Sequence, residues 1–273
     1  MPEGPEIKLA ADAIAKAVLN KPITEIFFAF DHLKSFETTL AKSTIVAVEP
    51  RGKALLTRFD NHLNIYSHNQ LYGKWMVRKA HSYPKTNRQL RLAIHTSKKS
   101  ALLYSASDID VLTDDALKAH PFLCRIGPDV LHPDTTVEQV VERLTSKSFY
   151  RRRLTTLLLD QQFLSGLGNY LRSEILFGAG VHPSLRPVDC TVAQIQDLAE
   201  MAIALPRQSY KTKGITNNLD RVEMLKAQGL TRSKYRYCVF GRASKPCYEC
   251  GTDIIKDRTG GRRYYYCPTC QAK

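Results

Sequence analysis

The sequence predicts a multi-domain α+β protein, in which an N-terminal helix and an antiparallel β-sandwich precede a helical domain and a four-Cys zinc ribbon. Three observations support this prediction. Apolar residues at helical spacing open the chain, short β-rich runs without intervening helices follow, and two CxxC pairs lie near the end. With 273 residues, the chain is long enough for two ordinary domains whose cores need no disulfides.

The first helix is predicted at residues 6–20, because Ile7, Ala10 and Ile14 fall on one of its faces. Short β-rich runs separated by turn residues follow this helix, and no helical pattern interrupts them. The predicted strands are residues 23–30, 44–48, 54–59, 63–67, 73–77, 90–95 and 101–104.

A helical pattern returns after a linker at residues 125–134. Thr135 and Glu138 have the spacing of a capping box, and Asn169 is a candidate cap for a later helix. Residues 211–235 are polar and carry no clear pattern. The predicted helices are residues 137–144, 154–164 and 170–177, and one that begins after Thr191 and stops at Pro206.

These patterns divide the chain into four segments. They are an N-terminal sandwich domain at residues 1–124, the linker at 125–134, a helical domain at 135–236 and a zinc ribbon at 237–273.

The charge is unevenly distributed along the chain. Lys and Arg number 40 against 26 Asp and Glu, a net charge of +14, and +10 of this lies in residues 206–273, whereas residues 1–60 are neutral. Such an excess predicts a polyanionic partner, either nucleic acid or an acidic membrane surface. Nucleic acid is favoured, because no apolar run is long enough for a membrane span and the N-terminus is not that of a secretory signal. We therefore expect a soluble intracellular protein.

Four of the seven cysteines have the spacing of a metal site: Cys247, Cys250, Cys267 and Cys270. Two CxxC pairs separated by a hairpin predict a closed, structural Zn²⁺ site, and Gly260 and Gly261 supply the turn. The alternative is a redox pair of CxxC motifs, but no βαβ pattern surrounds them. The other cysteines, Cys124, Cys190 and Cys238, are expected to be buried and inert.

The N-terminus carries a possible nucleophile. If Met1 is removed, Pro2 has a free secondary amine, and an α-amino group has a reference pKa of roughly 8, so part of it is unprotonated at neutral pH. Such an amine can attack a sugar C1′ and form an iminium, with Glu3 as an adjacent acid or base. The alternative is an ordinary helix start, where Pro and acidic residues are common.

Four features occur together and in order: the opening Met1-Pro2-Glu3-Gly4-Pro5-Glu6, Arg51-Gly52-Lys53, Ser165-Gly166-Leu167-Gly168-Asn169-Tyr170 and the four-Cys ribbon. In this combination the chain resembles the formamidopyrimidine-DNA glycosylase/endonuclease VIII family of base-excision repair enzymes. Gly4 and His68-Asn69-Gln70-Leu71-Tyr72 make it most similar to the bacterial endonuclease VIII branch. The resemblance implies that the helical domain contains a helix–two-turns–helix motif.

The resemblance also implies roles for individual residues. Pro2 is the expected nucleophile, and Glu3 assists departure of the base. Lys53 is the expected proton donor near the lesion, and Arg262 of the zinc hairpin grips the flanking phosphates, with Arg263 as a less well spaced neighbour. From the residues alone, Lys53 reads as a surface lysine at the start of a strand.

Further residues match the DNA contacts of the family. Gln70, Leu71 and Tyr72 match the loop that fills the gap left by an extruded base, although Leu71 and Tyr72 also read as strand core residues. Arg125 and Asn169 match phosphate-contacting residues. Glu174 is expected to bond to the N-terminal segment.

The expected activity is that of a bifunctional DNA glycosylase and abasic-site lyase, which removes oxidised pyrimidines and then cleaves the strand by β,δ-elimination. The implied partner is duplex DNA containing a damaged base, and the implied state is a cytoplasmic, nucleoid-associated monomer in bacteria. Residues 211–239 are longer than expected for the endonuclease VIII branch, so oxidised purines are the second choice of lesion. A non-enzymatic zinc-ribbon DNA-binding protein and a zinc-stabilised scaffold are the competing hypotheses.

Overall fold

The structure is a computed structural model that describes residues 2–273. It contains two compact units, one that ends at Arg125 and one from Ile126 to Lys273, and each is described by itself. No helix within residues 2–273 combines the length and the apolar character that crossing a bilayer requires.

The first unit contains four helices and eight strands in the part of the chain that the structure describes. The helices are α1 (Gly4–Val18), α2 (Asp31–Lys34), α3 (Glu37–Ala41) and α4 (Asp114–Ala119). The strands are β1 (Ile23–Phe28), β2 (Ile45–Arg51), β3 (Ala54–Phe59), β4 (Leu63–His68), β5 (Lys74–Lys79), β6 (Leu90–Thr96), β7 (Lys99–Tyr104) and β8 (Asp108–Thr113).

These strands form two antiparallel sheets of four, in the orders β1-β6-β7-β5 and β2-β3-β4-β8. The main core lies between α1 and the two sheets, and Ile14, Phe28 and Ile65 are fully buried in it. Burial of this apolar surface is the main driving force for the sandwich. The predicted N-terminal helix and antiparallel β-sandwich are therefore confirmed.

Two details of the first unit differ from the sequence-based expectation. Strand β8 was not predicted, although Ile109 and Val111 alternate with acidic residues in the pattern of a half-buried strand. Strand β2 extends to Arg51, three residues beyond the predicted strand at residues 44–48. Because β2 lies at the edge of its sheet, the missing N–H of Pro50 is tolerated there.

The second unit contains six α-helices and a two-stranded hairpin. The helices are α5 (Val137–Thr145), α6 (Leu154–Leu157), α7 (Asn169–Gly178), α8 (Val192–Lys211), α9 (Leu219–Ala227) and α10 (Arg232–Tyr235). The hairpin is formed by β9 (Ile255–Thr259) and β10 (Arg262–Tyr266), and a short 3₁₀ helix lies at Pro187–Asp189. The helical domain and the C-terminal four-Cys element are thus both present.

Two helix ends differ from the prediction. The cap of α5 is Thr136 with Gln139, one residue later than predicted, because Thr135 is buried and donates its hydroxyl to the Asp129 carbonyl at 2.7 Å. Helix α8 continues through Pro206 instead of stopping there. Pro206 lies on the buried face of the helix, and the packing of that face offsets the loss of one backbone hydrogen bond.

The apolar stretch at residues 154–164 forms only one short helix. Asp160 accepts a hydrogen bond from the backbone N–H of Gln162 at 2.8 Å and pairs with Arg152 at 2.6 Å. Such side-chain contacts offer the backbone an alternative to the helix, and Phe163 and Leu164 still enter the core from the turn that follows. Two helices, α9 and α10, occupy the polar region that the sequence left unassigned.

Candidate active site

The N-terminal segment leads directly into α1. Pro2 is half-buried, and Glu3 is buried with only 2% of its surface exposed. The Glu3 N–H donates to Oε2 of Glu6 at 3.0 Å, and its carbonyl accepts from the Ile7 N–H at 3.1 Å. These two bonds fix the backbone of Glu3, the residue that directly follows Pro2. The expectation that Met1 is removed lies outside the described residues.

Lys53 lies in the tight turn between β2 and β3. Arg51 pairs with Ala54 across this turn, and Gly52 has a φ of 61°, a left-handed conformation that favours glycine. Lys53 is only 6% exposed, so the alternative of a surface lysine is excluded. Burial of a cation is costly unless the site compensates it, and for this reason buried lysines are candidates for functional groups.

The loop at residues 69–73, called here the gap loop, connects β4 to β5. Leu71 and Tyr72 are 57% and 67% exposed, so they are not strand core residues. Gln70 has a φ of 48°, and the Gly73 N–H donates to the Asn69 carbonyl at 2.7 Å. A Cβ on Gly73 would lie 2.5 Å from that carbonyl oxygen, so glycine is required for this reversal.

A cavity of about 310 Å³ lies beside the gap loop within the first unit. Its lining residues are Tyr66, His68, Asp108, His120, Pro121, Phe122 and Arg125. The exposed Arg125, a predicted DNA contact, is oriented by a 2.7 Å hydrogen bond from its Nε to the Pro121 carbonyl. The cavity thus combines a cation with hydrogen-bonding side chains that the prediction did not single out.

His68 and Tyr66 have shifted pKa values because they line this cavity. Burial lowers the pKa of His68, the Lys53 cation lowers it further, and Asp108 opposes the shift. Burial, reinforced by Asp108, raises the pKa of Tyr66 well above its usual value. His68 is therefore a neutral acceptor for the Gln70 N–H at 3.2 Å, and Tyr66 stays a hydroxyl donor at neutral pH. The sequence signal for His68 was its place in the quoted motif; Asp108 lies opposite it across the sheet.

Asn169 is the first residue of α7, and Gly168 occupies the cap position predicted for it. Oδ1 of Asn169 accepts a hydrogen bond from Nη2 of Arg172 at 2.8 Å. The same nitrogen donates to the carbonyl of Arg263 at 2.8 Å, and Nη1 donates to the Thr155 carbonyl at 2.7 Å. Arg172 is fully buried, and it connects the start of α7 to the hairpin strand β10. Sequence reasoning missed this residue because nothing local marks an arginine as buried.

The hairpin carries the two arginines of the prediction. Its turn consists of Gly260 and Gly261, whose φ values of 54° and 76° are both left-handed, as a two-residue type I′ turn requires. Arg262 and Arg263 follow the turn on adjacent positions of β10, and both side chains are exposed. Because successive side chains of a strand point to opposite faces, the two arginines are presented on different sides of the hairpin.

The four cysteines predicted to bind metal lie together. Sγ of Cys247 is 3.8 Å from that of Cys270, and Sγ of Cys250 is 3.4 Å from that of Cys267. Tetrahedral zinc with bonds of about 2.3 Å separates its sulfurs by about 3.8 Å, so the four thiols fit one ion. Backbone N–H groups of Glu249 and Cys270 lie 3.4 Å from the sulfurs of Cys247 and Cys267, which further supports thiolates there.

The remaining cysteines correct one expectation. Cys124 is exposed and not buried. Cys190 and Cys238 are half-buried; burial raises the pKa of Cys190 to about 11 and that of Cys238 well above its ordinary value. The raised pKa disfavours the reactive thiolate form of both, although neither is fully buried as expected.

Glu174 anchors residues 238–240, which come before the first CxxC pair. Its two carboxylate oxygens accept hydrogen bonds from the Thr216 hydroxyl at 2.6 Å and from the backbone N–H groups of Cys238, Val239 and Phe240 at 2.8 to 2.9 Å. The expectation for Glu174 was a bond to the N-terminal segment; the four bonds described here all lie within the second unit. They explain how a carboxylate with 1% exposure is accommodated.

A second cluster of metal-binding side chains, Glu25, His81 and His95, lies at one end of the sheet that contains β1. The rings of His81 and His95 are stacked at 4.3 Å. Both nitrogens of His95 lie within hydrogen-bonding distance of hydroxyls, Nδ1 at 2.6 Å from Ser100 and Nε2 at 3.3 Å from Tyr83. Hydrogen bonding therefore accounts for this buried imidazole without a metal ion.

The structure distributes the predicted site residues between the two units. Pro2, Glu3, Lys53, the gap loop and Arg125 belong to the first, whereas Asn169, Arg262 and the four cysteines belong to the second. Within the first unit, Lys53 acts electrostatically on His68, whose backbone pairs with Ala54, and His68 also bonds to the gap loop. Within the second, Arg172 ties Asn169 to the hairpin that carries Arg262.

Comparisons with known proteins cover almost the whole chain. Family models described as the formamidopyrimidine-DNA glycosylase N-terminal domain, the formamidopyrimidine-DNA glycosylase H2TH domain and a zinc finger found in FPG and IleRS match residues 1–107, 126–220 and 244–273. Two curated proteins from Escherichia coli strains, both named Endonuclease 8, are 48% and 47% identical over 271 residues, which is 99% of this chain and 100% of each relative.

Solved structures share the fold. A MutM chain in complex with DNA containing carbocyclic 8-oxo-G superposes with a TM-score of 0.81 at 21% identity, covering 100% of both chains. The Lactococcus lactis Fpg bound to DNA with an abasic site gives a TM-score of 0.81 at 21% identity, covering 99% of this chain and 100% of that chain.

Proposed function

The chain belongs to the formamidopyrimidine-DNA glycosylase/endonuclease VIII family of DNA glycosylases and abasic-site lyases, and we propose that it removes oxidised pyrimidines from duplex DNA in base-excision repair. The observation that carries this proposal is the N-terminal arrangement, in which Pro2 is followed directly by a glutamate buried at the start of α1. A protein that only binds DNA needs neither feature.

The proposed chemistry begins at Pro2. Its secondary amine, free once Met1 is removed, attacks C1′ of the damaged nucleotide, and the glycosidic C1′–N bond breaks as the base departs with a proton. Glu3 donates a proton to the opening sugar ring, and Lys53 acts as a second proton donor. The resulting iminium acidifies C2′–H, so loss of that proton expels the 3′ phosphate, and a second elimination expels the 5′ phosphate. Hydrolysis of the iminium frees the enzyme.

The proposed DNA contacts come from residues of both units. Leu71 and Tyr72, both exposed at the tip of the gap loop, fill the space left by the extruded base, and Gln70 faces the orphan base. Arg125, Asn169 and Arg262 hold phosphates, and the link through Arg172 supports a joint action of the last two. Binding by phosphate contacts makes the affinity strongly dependent on salt.

One structural Zn²⁺ is proposed at Cys247, Cys250, Cys267 and Cys270. Four thiolates leave no open coordination position, so the ion holds the hairpin and takes no part in the reaction. We further propose that the protein acts as a monomer in the bacterial cytoplasm, associated with the nucleoid, and that it does not bind membranes.

Oxidised purines are the alternative substrate class. The observation that favours them is the length of the segment after α8, which forms α9 and α10 and is anchored through Thr216 to Glu174. We retain oxidised pyrimidines as the first choice because of the 48% identity to proteins named Endonuclease 8.

Borohydride trapping tests the proposal. Protein without Met1, incubated with a duplex containing dihydrouracil and reduced by borohydride, is expected to form a covalent protein–DNA adduct. Pro2→Gly or retention of Met1 should abolish or strongly slow trapping while duplex binding persists. Absence of an adduct with the wild-type protein contradicts the enzymatic assignment. A parallel cleavage panel with thymine glycol, dihydrouracil, 8-oxoguanine and an abasic site decides the lesion class.

A further inference from the structure

The gap loop receives hydrogen bonds from distant parts of the first unit. The hydroxyl of Ser107 donates to Oε1 of Gln70 at 2.7 Å, across 37 positions of the chain. Ser107 immediately precedes β8, and Asp108 of that strand pairs with His68. The strand pairing therefore places this hydroxyl beside the loop.

Hydrogen bonds hold both the side chain and the backbone of Gln70. Its backbone N–H donates to Nδ1 of His68 at 3.2 Å, and its left-handed φ of 48° is stabilised by the reversal of the chain at Gly73. With the backbone fixed and Oε1 engaged, the remaining polar group of the side chain is the Nε2 amide, which offers two N–H donors and no acceptor.

A different residue holds the other side of the loop. The guanidinium of Arg88, in the connection between β5 and β6, donates to the carbonyl oxygen of Tyr72. This bond supports the backbone beneath the exposed ring and does not touch the Gln70 side chain. The loop thus has separate anchors for the residue that faces the orphan base and for the residue that fills the gap.

We infer that Ser107 is a positioning residue that sets the opposite-base preference of the enzyme, an inference that rests on the proposed function and deepens it. By engaging Oε1, Ser107 turns the donor side of the Gln70 amide toward the orphan base. Adenine and cytosine carry an acceptor nitrogen at the centre of the Watson–Crick edge, whereas guanine and thymine carry an N–H donor there. The loop therefore favours lesions opposite adenine or cytosine, since the amide donor meets an acceptor at the centre of those two edges and another donor at the centre of the guanine and thymine edges.

Single-turnover cleavage of dihydrouracil opposite each of the four bases tests this inference. The wild-type protein is expected to cleave faster opposite adenine and cytosine than opposite guanine and thymine. Ser107→Ala frees the amide to rotate, and the preference should fall by about fivefold, the worth of one hydrogen bond. Ser107→Thr keeps the hydroxyl and should retain the preference. Arg88→Ala is the matched control: it should slow cleavage opposite all four bases equally and leave the preference unchanged.

A double mutant tests whether Ser107 acts through Gln70. In the Gln70→Ala background, Ser107→Ala should cause no further change in preference, because its action passes through the Gln70 amide. An unchanged preference in Ser107→Ala, or an equal loss in Arg88→Ala, would overturn the inference. Borohydride trapping of the wild-type protein distinguishes this outcome from failure of the proposed function, because trapping persists in the first case and is absent in the second.

Discussion

The gap loop and the zinc hairpin are two exposed tips that are stabilised in different ways. Side chains from three other segments hold the gap loop: Ser107, His68 and Arg88. In the hairpin, nothing lies within 4 Å of where a Cβ on Gly260 or Gly261 would stand. The turn of the hairpin depends instead on its own ladder, in which the Tyr264 hydroxyl donates to Asp257 at 2.6 Å. Strand β10 below the turn is tied to α7, through the bonds from Arg172 to the Arg263 carbonyl and from the Tyr265 N–H to Ser173, and the four cysteines lie at the far end of the hairpin.

This difference teaches which perturbation each tip responds to. A loop held by individual tertiary hydrogen bonds is adjusted in small steps, because each neutral bond contributes only about 1 kcal/mol. A hairpin held by a metal ion loses its structure when the ion is removed, since metal binding and folding are coupled in such sites. The first arrangement suits recognition of a base, and the second suits a firm grip on phosphates.

Removal of the metal should have the largest effect on cleavage, and it should disrupt the hairpin while leaving the gap loop intact. Prolonged chelation, or Cys267→Ser, is expected to unfold the hairpin and reduce strand cleavage at least about hundredfold, because a structural zinc contributes folding free energy directly. Zinc content and cleavage are measured together. Trp75, the single tryptophan, packs against the core of the first unit, so its fluorescence should stay unchanged. A shift of the Trp75 emission in step with zinc loss would contradict independent stabilisation of the gap loop.

Loss of the Arg262 side chain should have the next largest effect on strand cleavage. Arg262→Ala is expected to slow strand cleavage about tenfold to hundredfold and to reduce the salt dependence of binding by about one phosphate contact. Arg263→Ala is the matched control, since its side chain points to the opposite face of β10 while its carbonyl still binds Arg172. Cleavage rates and binding at several salt concentrations measure the difference. A larger defect in Arg263→Ala would assign the phosphate contact to the neighbour.

In the gap loop, Tyr72→Ala should slow cleavage less than Arg262→Ala does. The variant removes a ring that is 67% exposed and therefore contributes little to folding, but it takes away a stacking surface worth roughly 1–3 kcal/mol per base. Cleavage of a duplex lesion should slow about tenfold, whereas trapping on a single-stranded abasic site should change little. Tyr72→Phe retains the ring and should be close to wild type. Equal slowing on duplex and single-stranded substrates would remove the gap-filling role.

The two tips also differ in how well the sequence predicts them, because one is stabilised locally and the other by distant residues. The hairpin is encoded locally: the two CxxC pairs and Gly260-Gly261 lie within 24 residues, and all of these were identified from spacing. The exposed residues of the gap loop were recognised through resemblance to a family. The anchors of the loop were not, because Ser107 meets Gln70 only through the pairing of β4 with β8, and β8 itself was missed.

Similar reasons explain the other differences between prediction and structure. The arrest of α8 at Pro206 was wrong because local propensity was outweighed by tertiary packing of the buried face. Burial of Lys53 and Arg172 is invisible in sequence, since both residue types are ordinarily exposed. Short-range patterns therefore predicted the architecture and the cluster of four cysteines, and resemblance to a family supplied the expected N-terminal chemistry, whereas pairs of distant residues determine how the gap loop is held.

The smallest predicted effect concerns the pH response of the gap loop. Burial and the nearby Lys53 lower the pKa of His68 in the folded protein, and Asp108 only partly opposes this shift. A histidine in an unfolded chain has a pKa of roughly 6.5, so below about pH 7 the unfolded chain binds more protons at this position than the folded one. The contribution of His68 to stability is thus present above the unfolded pKa and is lost as the pH falls through 6.5 toward the folded pKa. A protonated Nδ1 also cannot accept the Gln70 N–H.

Hydrogen exchange of the Gln70 amide, corrected for its intrinsic pH dependence, should therefore show falling protection between pH 7.5 and 5.5. The hairpin amide of Tyr265, which donates to the Ser173 hydroxyl at 3.2 Å, has no such histidine partner and serves as the internal reference. His68→Gln removes the titrating group and should flatten the response of Gln70. If protection still falls equally in His68→Gln, the pH response of the loop comes from another group, and the anchoring role of the neutral imidazole is wrong. A flat response in the variant alone links this anchor to the base-facing residue of the loop, because the group that titrates is the one that holds the Gln70 backbone.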